Sequence, residues 1–229
     1  MFKQWMAYDG QRFVPAVIRN YNESDFAGLI DVQALSFPPP FPSELWWNEE
    51  QLSEHVSRFP EGALCVEMEG RIVGSMTALR RTFREGDRHD WASVTDNGYI
   101  RNHEPDGDTL YVVDICVAPA YRRFGLGKWL MQAMYETVVH LGCDRLLGGG
   151  RMPGYQKAAA GMTPEEYVNQ VKTGERTDPV LTFLLRCGRM PVGVVRDYLE
   201  DEQSGNNAAL MEWRNPFESR TYRIERRSE

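Results

Sequence analysis

The 229-residue sequence predicts an α/β (α+β) protein with a central mixed, mostly antiparallel sheet flanked by helices. Three observations predict it. Strand-like and helix-like segments alternate in the order β-α-α-β-β-β-α-β-α-α-β-β, so helices interrupt a largely antiparallel run of strands. Residues 62–83 hold two strand-like runs joined by Glu69-Gly70, a hairpin signal. The apolar stretch "TLYVVDICVAP" (109–119) reads as a central strand and leads directly into a segment with helical spacing.

Taken in order, "FVPAVIRNY" (13–21) is β-rich and reads as the first strand. Phe26, Leu29, Ile30, Ala34 and Phe37 then recur at helical spacing, with Asn22 or Ser24 as the cap and "PPPFP" (38–42) as the stop. Ser43 or Asn48 opens a second helix that runs to about Phe59. Residues 84–108 are polar and aperiodic and are expected to form a long loop, a length that in an ordered protein points to function. In 125–142, Leu130, Ala133, Met134, Val138 and Leu141 make one apolar stripe, and Gly142 suits the position after the helix. A short strand at 143–150 ends in glycines. Thr163, Pro164 and Glu166 then spell a capping box with proline at the first helical position, and Gly174 ends that helix. One more helix (178–188) and two strands (191–200 and 208–214) complete the set. Residues 1–215 are expected to be a single domain and 216–229 a polar, Arg-rich tail, solvated or an interaction arm.

A net charge of −7 argues against a nucleic-acid partner. The N-terminus lacks the apolar run of a signal peptide, and no stretch of about 18 apolar residues is present, so a cytoplasmic protein with no membrane partner is expected. Cys65, Cys116, Cys143 and Cys187 are widely spaced with no C-x-x-C pair, which points to free, mostly buried thiols and no metal. Trp5, Trp46, Trp47 and Trp91 could line a homodimer interface as readily as a core.

The chemistry concentrates in "VAPAYRRFGLGKWL" (117–130). Gly125 and Gly127 remove side chains where strand turns into helix. The amides from about Arg123 to Lys128 can then point outward at the positive end of the helix dipole, a cradle for a diphosphate. Arg122, Arg123 and Lys128 add charge around it. The alternatives fit poorly. Trp129 follows Gly127-Lys128 where a Walker A loop needs Ser or Thr, and Leu130 stands where the dinucleotide fingerprint needs its third glycine. The competing reading is a basic turn without a ligand.

"VAPAYRRFGLG" resembles motif A of the GNAT superfamily of acyl-CoA N-acyltransferases, R/Q-x-x-G-x-G/A, through Arg122, Gly125 and Gly127, with the strand before it and the helix after it also in place. The resemblance implies a GNAT-like acyl-CoA-binding domain with acetyl-CoA as co-substrate. Its pyrophosphate would lie on Arg122, Arg123, Phe124, Gly125, Leu126, Gly127 and Lys128, and its pantetheine arm along Ile115, Cys116 and Val117. A backbone amide near Val117 would polarise the acyl carbonyl. Longer runs, "FPEGALCVEMEGRIVGS", "GYIRNHEPDGDTLYVVDICV", "GGGRMPGY", "MTPEEYV" and "DPVLTFLLRCG", look like the GNAT module fused in some bacterial proteins to a carbon–nitrogen hydrolase (nitrilase-like) domain. This chain is expected to stop where that second domain would begin, and no nitrilase Glu-Lys-Cys set is evident in it.

Amine acetylation needs a neutral amine, a polarised carbonyl and a protonated leaving thiolate. Asp114 is the acid that interrupts the apolar strand, and it is the first candidate for a base or for binding the amine; a structural ion pair or hydrogen bond is the other reading. Many family members use a tyrosine in the last helix as general acid, but Leu184 stands at the matching place in "FLLRCGR". Tyr155 is the replacement candidate, against a packing role. His103 and His89 could supply a base near neutrality, against loop-structuring roles. The 151–177 insert is expected to wall the acceptor site, its Glu165, Glu166 and Glu175 either meeting a cationic amine or merely capping and solubilising a helix. The function implied is transfer of an acetyl group to a primary amine of a small-molecule or protein acceptor. The alternative is a non-catalytic acyl-CoA sensor that partners a separate carbon–nitrogen hydrolase.

Overall fold

The computed structural model describes residues 1–84 and 86–217, so most of the Arg-rich tail lies outside the described residues. Strand β1 (Phe2–Tyr8) pairs antiparallel with β2 (Phe13–Asn20), β2 with β3 (Ala63–Met68), β3 with β4 (Arg71–Arg81), and β4 with β5 (Thr109–Val117). β5 runs parallel to β6 (Arg145–Arg151). β7 (Met190–Val195) forms the far edge on β8 (Ala208–Arg214), which pairs antiparallel with β6. The result is one eight-stranded, mostly antiparallel sheet, the class expected.

Helices α1 (Phe26–Ser36), α2 (Glu49–Arg58), α3 (Trp91–Thr95), α4 (Leu126–His140), α5 (Pro164–Thr173) and α6 (Leu181–Arg186) complete the chain. The local signals act as their chemistry dictates. Asn48 and Gln51 form a reciprocal capping box on α2, and Thr163 and Glu166 do the same on α5. Glu69 and Gly70 both take left-handed backbone, the pairing a tight two-residue hairpin requires. On α4, Leu130, Met134 and Val138 are fully buried, each worth about 1.5–3 kcal/mol. Three of the four cysteines are buried, and all are free thiols.

Two elements were not expected. β1 precedes the first predicted strand. It is an edge strand with mixed polarity, and only its Lys3, Trp5 and Ala7 face turns inward. Lys3 pairs with Glu136 of α4, and the Trp5 ring packs at a tilt against Trp129, centroids 4.8 Å apart. The polar 84–108 stretch contains α3, too short for periodicity to show. Asp90 caps it, accepting from the Ser93 amide at 3.0 Å, and Trp91 anchors it by donating from Nε1 to the Val113 carbonyl at 3.0 Å.

The feature that positions the site is the parting of β5 from β6. Their pairing covers only Thr109–Tyr111 against Arg145–Leu147, whereas β5 continues to Val117 and β6 to Arg151. Beyond Tyr111, among the described residues, β5 is paired on its β4 side alone. A register shift between Thr77 and Ala78 leaves Val113 unpaired in the ladder and adds local twist there. Tyr198 fills part of the widening, its ring lying so close to Gly149 that any β-carbon there would overlap it.

Candidate active site

The turn from β5 into α4 has the geometry of an anion cradle. Gly125 takes the N-cap position with φ +81°, and no side chain caps the helix. The first amides of a 15-residue helix are therefore left for an outside partner. Arg123 also has left-handed backbone, φ +75°, a conformation uncommon outside glycine. Arg122 folds back on the turn: its Nε donates to the Val117 carbonyl at 3.1 Å and a terminal nitrogen to the Ser36 carbonyl at 3.3 Å, tying the turn to the end of α1. Arg123 and Lys128 are exposed beside the open amides, and Phe124 is half-buried against Tyr121. Gly127 allows close approach on the other side, because a β-carbon there would sit 3.2 Å from the Phe183 ring. The unpaired edge of β5 leads straight into this turn. An extended chain bearing a diphosphate fits a strand edge with no partner strand followed by a ring of free amides, so the residues present suit acetyl-CoA.

Asp114 and Cys116 lie directly opposite Thr77 and Ser75 across the β4–β5 ladder, so the four share one face. Cys116 Sγ meets Ser75 Oγ at 3.4 Å, and Cys116 packs in one cluster with Val32 of α1. Ile115 and Val117 point the other way, where the Val117 side chain lies beside Gly127 of α4. Asp114 is half-buried as a residue, yet its Oδ2 is shut off from solvent and has no hydrogen-bond partner. Burial pushes its carboxyl up to about 7; the Cys116 thiol, the Ile115 amide, the Arg151 charge and Gln33 offset only part of that. A carboxyl poised near neutrality at the rim of a strand gap can exchange a proton at working pH.

The other expected site residues are not gathered here. His103 accepts the Arg80 amide at Nδ1 (3.1 Å) and stacks on Phe59 at 4.5 Å. Arg80 is paired with Leu110, four residues before Asp114 and thus about 13 Å along the strand. His89 stacks on Phe83. Tyr155 is buried, donates its hydroxyl to the Met162 carbonyl at 3.1 Å and packs edge-on against Tyr167. The insert acids are engaged structurally: Glu165 pairs with Arg196, Glu166 closes the capping box of α5, and Glu175 accepts from Thr173. Leu184 is buried in α6, so no hydroxyl stands there.

The sequence did not single out Arg151, at the end of β6. Asp201 holds its guanidinium by two bonds of 2.7 Å, and the rings of Phe37 and Phe41 lie 5.6 and 4.8 Å from it. This pair ties the α1–α2 loop to the 200–206 turn. Between them lies a cleft of about 440 Å³ lined by Pro40, Pro42, Gln156, Glu200, Glu202 and Asn206, among others. Asp201→Ala leaves the guanidinium unpaired and is expected to cost about 3 kcal/mol, read as a lower Tm in thermal melts.

A family model described as "Acetyltransferase (GNAT) family" matches residues 26–160, which include α1, β5, the open turn and β6. The chain belongs to the GNAT family of acetyltransferases. It is 55% identical, over 95% of its length and 96% of the relative's, to a Bacillus subtilis protein described as "Uncharacterized N-acetyltransferase YkwB". A second Bacillus subtilis relative, "Probable hydrolase YhcX", is 42% identical over 87% of this chain but only 38% of its own length. Among solved structures, the GphF GNAT-like decarboxylase in complex with isobutyryl-CoA superposes with a TM-score of 0.74 at 25% identity, covering 86% of this chain and 98% of that one. This GNAT chain is an acyltransferase, and no helix among the described residues is long and apolar enough to cross a membrane.

Proposed function

We propose that this GNAT protein moves the acetyl group of acetyl-CoA directly to a primary amine of a small molecule or protein, within an acyl-CoA-binding domain spanning residues 1–215. The observation that carries this reading is the uncapped start of α4 fed by the unpaired edge of β5, with a protonatable carboxyl beside them. The amides of Arg123–Lys128 take the diphosphate, the edge at Ile115–Val117 takes the pantetheine, and an amide near Val117 polarises the thioester carbonyl. Acetyl-CoA supplies the activated acyl group. Asp114 is the proton-exchanging group next to it. The amine enters through the cleft at the α1–α2 loop, where Glu200 and Glu202 suit a cation. Tyr155 and Gln156 belong to its wall, Tyr155 by anchoring the insert and Gln156 by lining the cleft.

The test is incubation with acetyl-CoA and a panel of diamines, arylalkylamines, amino acids and peptide N-termini, following free CoA and N-acetyl product by mass spectrometry. Amine-dependent CoA release with a matching product supports the reading. Acetyl-CoA binding with no acetylated product across the panel would favour a non-catalytic acyl-CoA module partnering a separate hydrolase. The same incubation follows CO2 loss from malonyl-CoA, because GphF is a GNAT-like decarboxylase.

A further inference from the structure

Behind Asp114 runs a chain of buried polar groups that the site described so far does not use. His55 of α2, Tyr21 after β2 and Thr77 of β4 are each no more than 3% exposed. Thr77 Oγ1 lies 3.0 Å from the Tyr21 hydroxyl, and that hydroxyl lies 2.9 Å from His55 Nδ1. His55 Nε2 lies 2.6 Å from the Gly98 carbonyl.

The direction of every bond in this chain follows from its last member. A carbonyl oxygen can only accept, so His55 Nε2 carries the proton and donates it. Burial pushes the imidazole down to about 4, so it is neutral and its Nδ1 is an acceptor. Tyr21 must therefore donate to Nδ1, and its oxygen must accept the Thr77 hydroxyl proton. Thr77 is left with lone pairs alone on its remaining side. It sits directly opposite Asp114 on the same face, where paired β-carbons lie about 5 Å apart. Burial raises the Tyr21 phenol far above its ordinary range, so it keeps its proton and can donate it.

We propose that Gly98, His55, Tyr21 and Thr77 form a directional relay that turns the lone pairs of Thr77 toward Asp114 across the strand pair, with no hydrogen bond between the two side chains, and so disfavours the charged carboxylate. Tyr21, His55 and Thr77 are positioning residues. The other groups around the carboxyl are Cys116 on its own strand, Arg151 from β6 and Tyr198 from the β7–β8 connection, while α1 offers only the neutral Gln33 and Ser36. Of these Arg151 alone opposes the proton by charge, and Asp201 already holds it. The consequence for catalysis rests on the acyltransferase reading. As the nitrogen–carbon bond forms and the carbon–sulfur bond breaks, protonated Asp114 gives its proton to the CoA sulfur. The proton released by the acetylated nitrogen restores it. The role that Leu184 cannot fill is then taken from β5.

The experiment reads the carboxyl and the imidazole directly, without CoA or acceptor, so it stands or falls apart from the acyltransferase reading. Nitrogen-15 NMR of the wild type is expected to show His55 neutral and protonated at Nε2 from pH 5 upward; protonation at Nδ1 would reverse the chain and overturn the proposal. This measurement needs no variant, so it holds even where Tyr21→Phe does not fold. Carbon-13 titration of Asp114, assigned through Asp114→Asn, is compared in the wild type, Tyr21→Phe and Tyr21→Phe/Thr77→Val. In Tyr21→Phe the freed Thr77 hydroxyl turns to donate to the carboxylate, and the Asp114 midpoint is expected to fall by about one unit. Adding Thr77→Val is expected to abolish that fall. An unmoved midpoint in Tyr21→Phe, or the same fall in the double variant, contradicts the relay.

Discussion

Gly125→Glu is expected to abolish acetyl-CoA binding, with a loss of at least about 100-fold in Kd. Two effects add. Gly125 holds φ +81° as the N-cap of α4, a conformation that costs an ordinary residue about 1 kcal/mol or more. The larger effect is electrostatic, because a carboxylate would stand among the free amides that would otherwise meet a diphosphate. Space is not the issue, since the nearest atom to a β-carbon there is Trp129 Nε1 at 3.5 Å. Gly125→Asn separates the two effects. Asparagine tolerates left-handed backbone and is uncharged, so it should retain most of the affinity. Isothermal calorimetry with acetyl-CoA, CoA and ATP on the three proteins checks this, and equal losses in both variants would remove the charge argument.

Asp114→Asn is expected to cut turnover by about 100-fold or more while making the protein more stable at alkaline pH. The sign follows from linkage. The folded carboxyl titrates near 7 and the unfolded one near its ordinary 3.8. Between those values the folded chain binds the extra proton, so stability falls as pH rises, and above 7 the whole penalty is present. It amounts to at most about 4 kcal/mol. Asparagine carries no charge at any of these pH values and removes it. Its advantage in Tm should therefore be largest at pH 8 and vanish near pH 4. His55 works in the opposite sense. Its pKa is depressed to about 4, so stability is lost as pH falls from 6.5 toward 4. In the wild type the two trends oppose each other over that range, and in Asp114→Asn the His55 trend is exposed. Melts at pH 4, 6 and 8 decide it; a lower Tm than wild type at pH 8 would contradict the burial account of Asp114.

The residues that were legible in sequence are those whose neighbours in the chain carry the signal. The turn at Arg122–Lys128 is spelled by two glycines between an apolar strand and a helix, and the caps of α2 and α5 are spelled by residues three apart. The surroundings of Asp114 are not local. Thr77, Gln33 and Arg151 come from β4, α1 and β6, and Tyr21 and His55 stand behind Thr77, so no window of sequence contains them. The insert acids and His103 are the converse case. Residue type and a polar setting suggested chemistry, but each is held by a nearby structural partner that only the folded chain reveals. β1 escaped notice because an edge strand with one inward face carries little apolar pattern.

The most direct test of an acyl-CoA site at this turn is an amide NMR titration of the wild-type protein with acetyl-CoA. Saturable shifts are expected, largest at Gly125, Leu126, Gly127 and Lys128, with a second set at Ile115, Cys116 and Val117 on the unpaired edge of β5. Saturable binding that left those amides unmoved, or no binding by the folded protein, would contradict a site there.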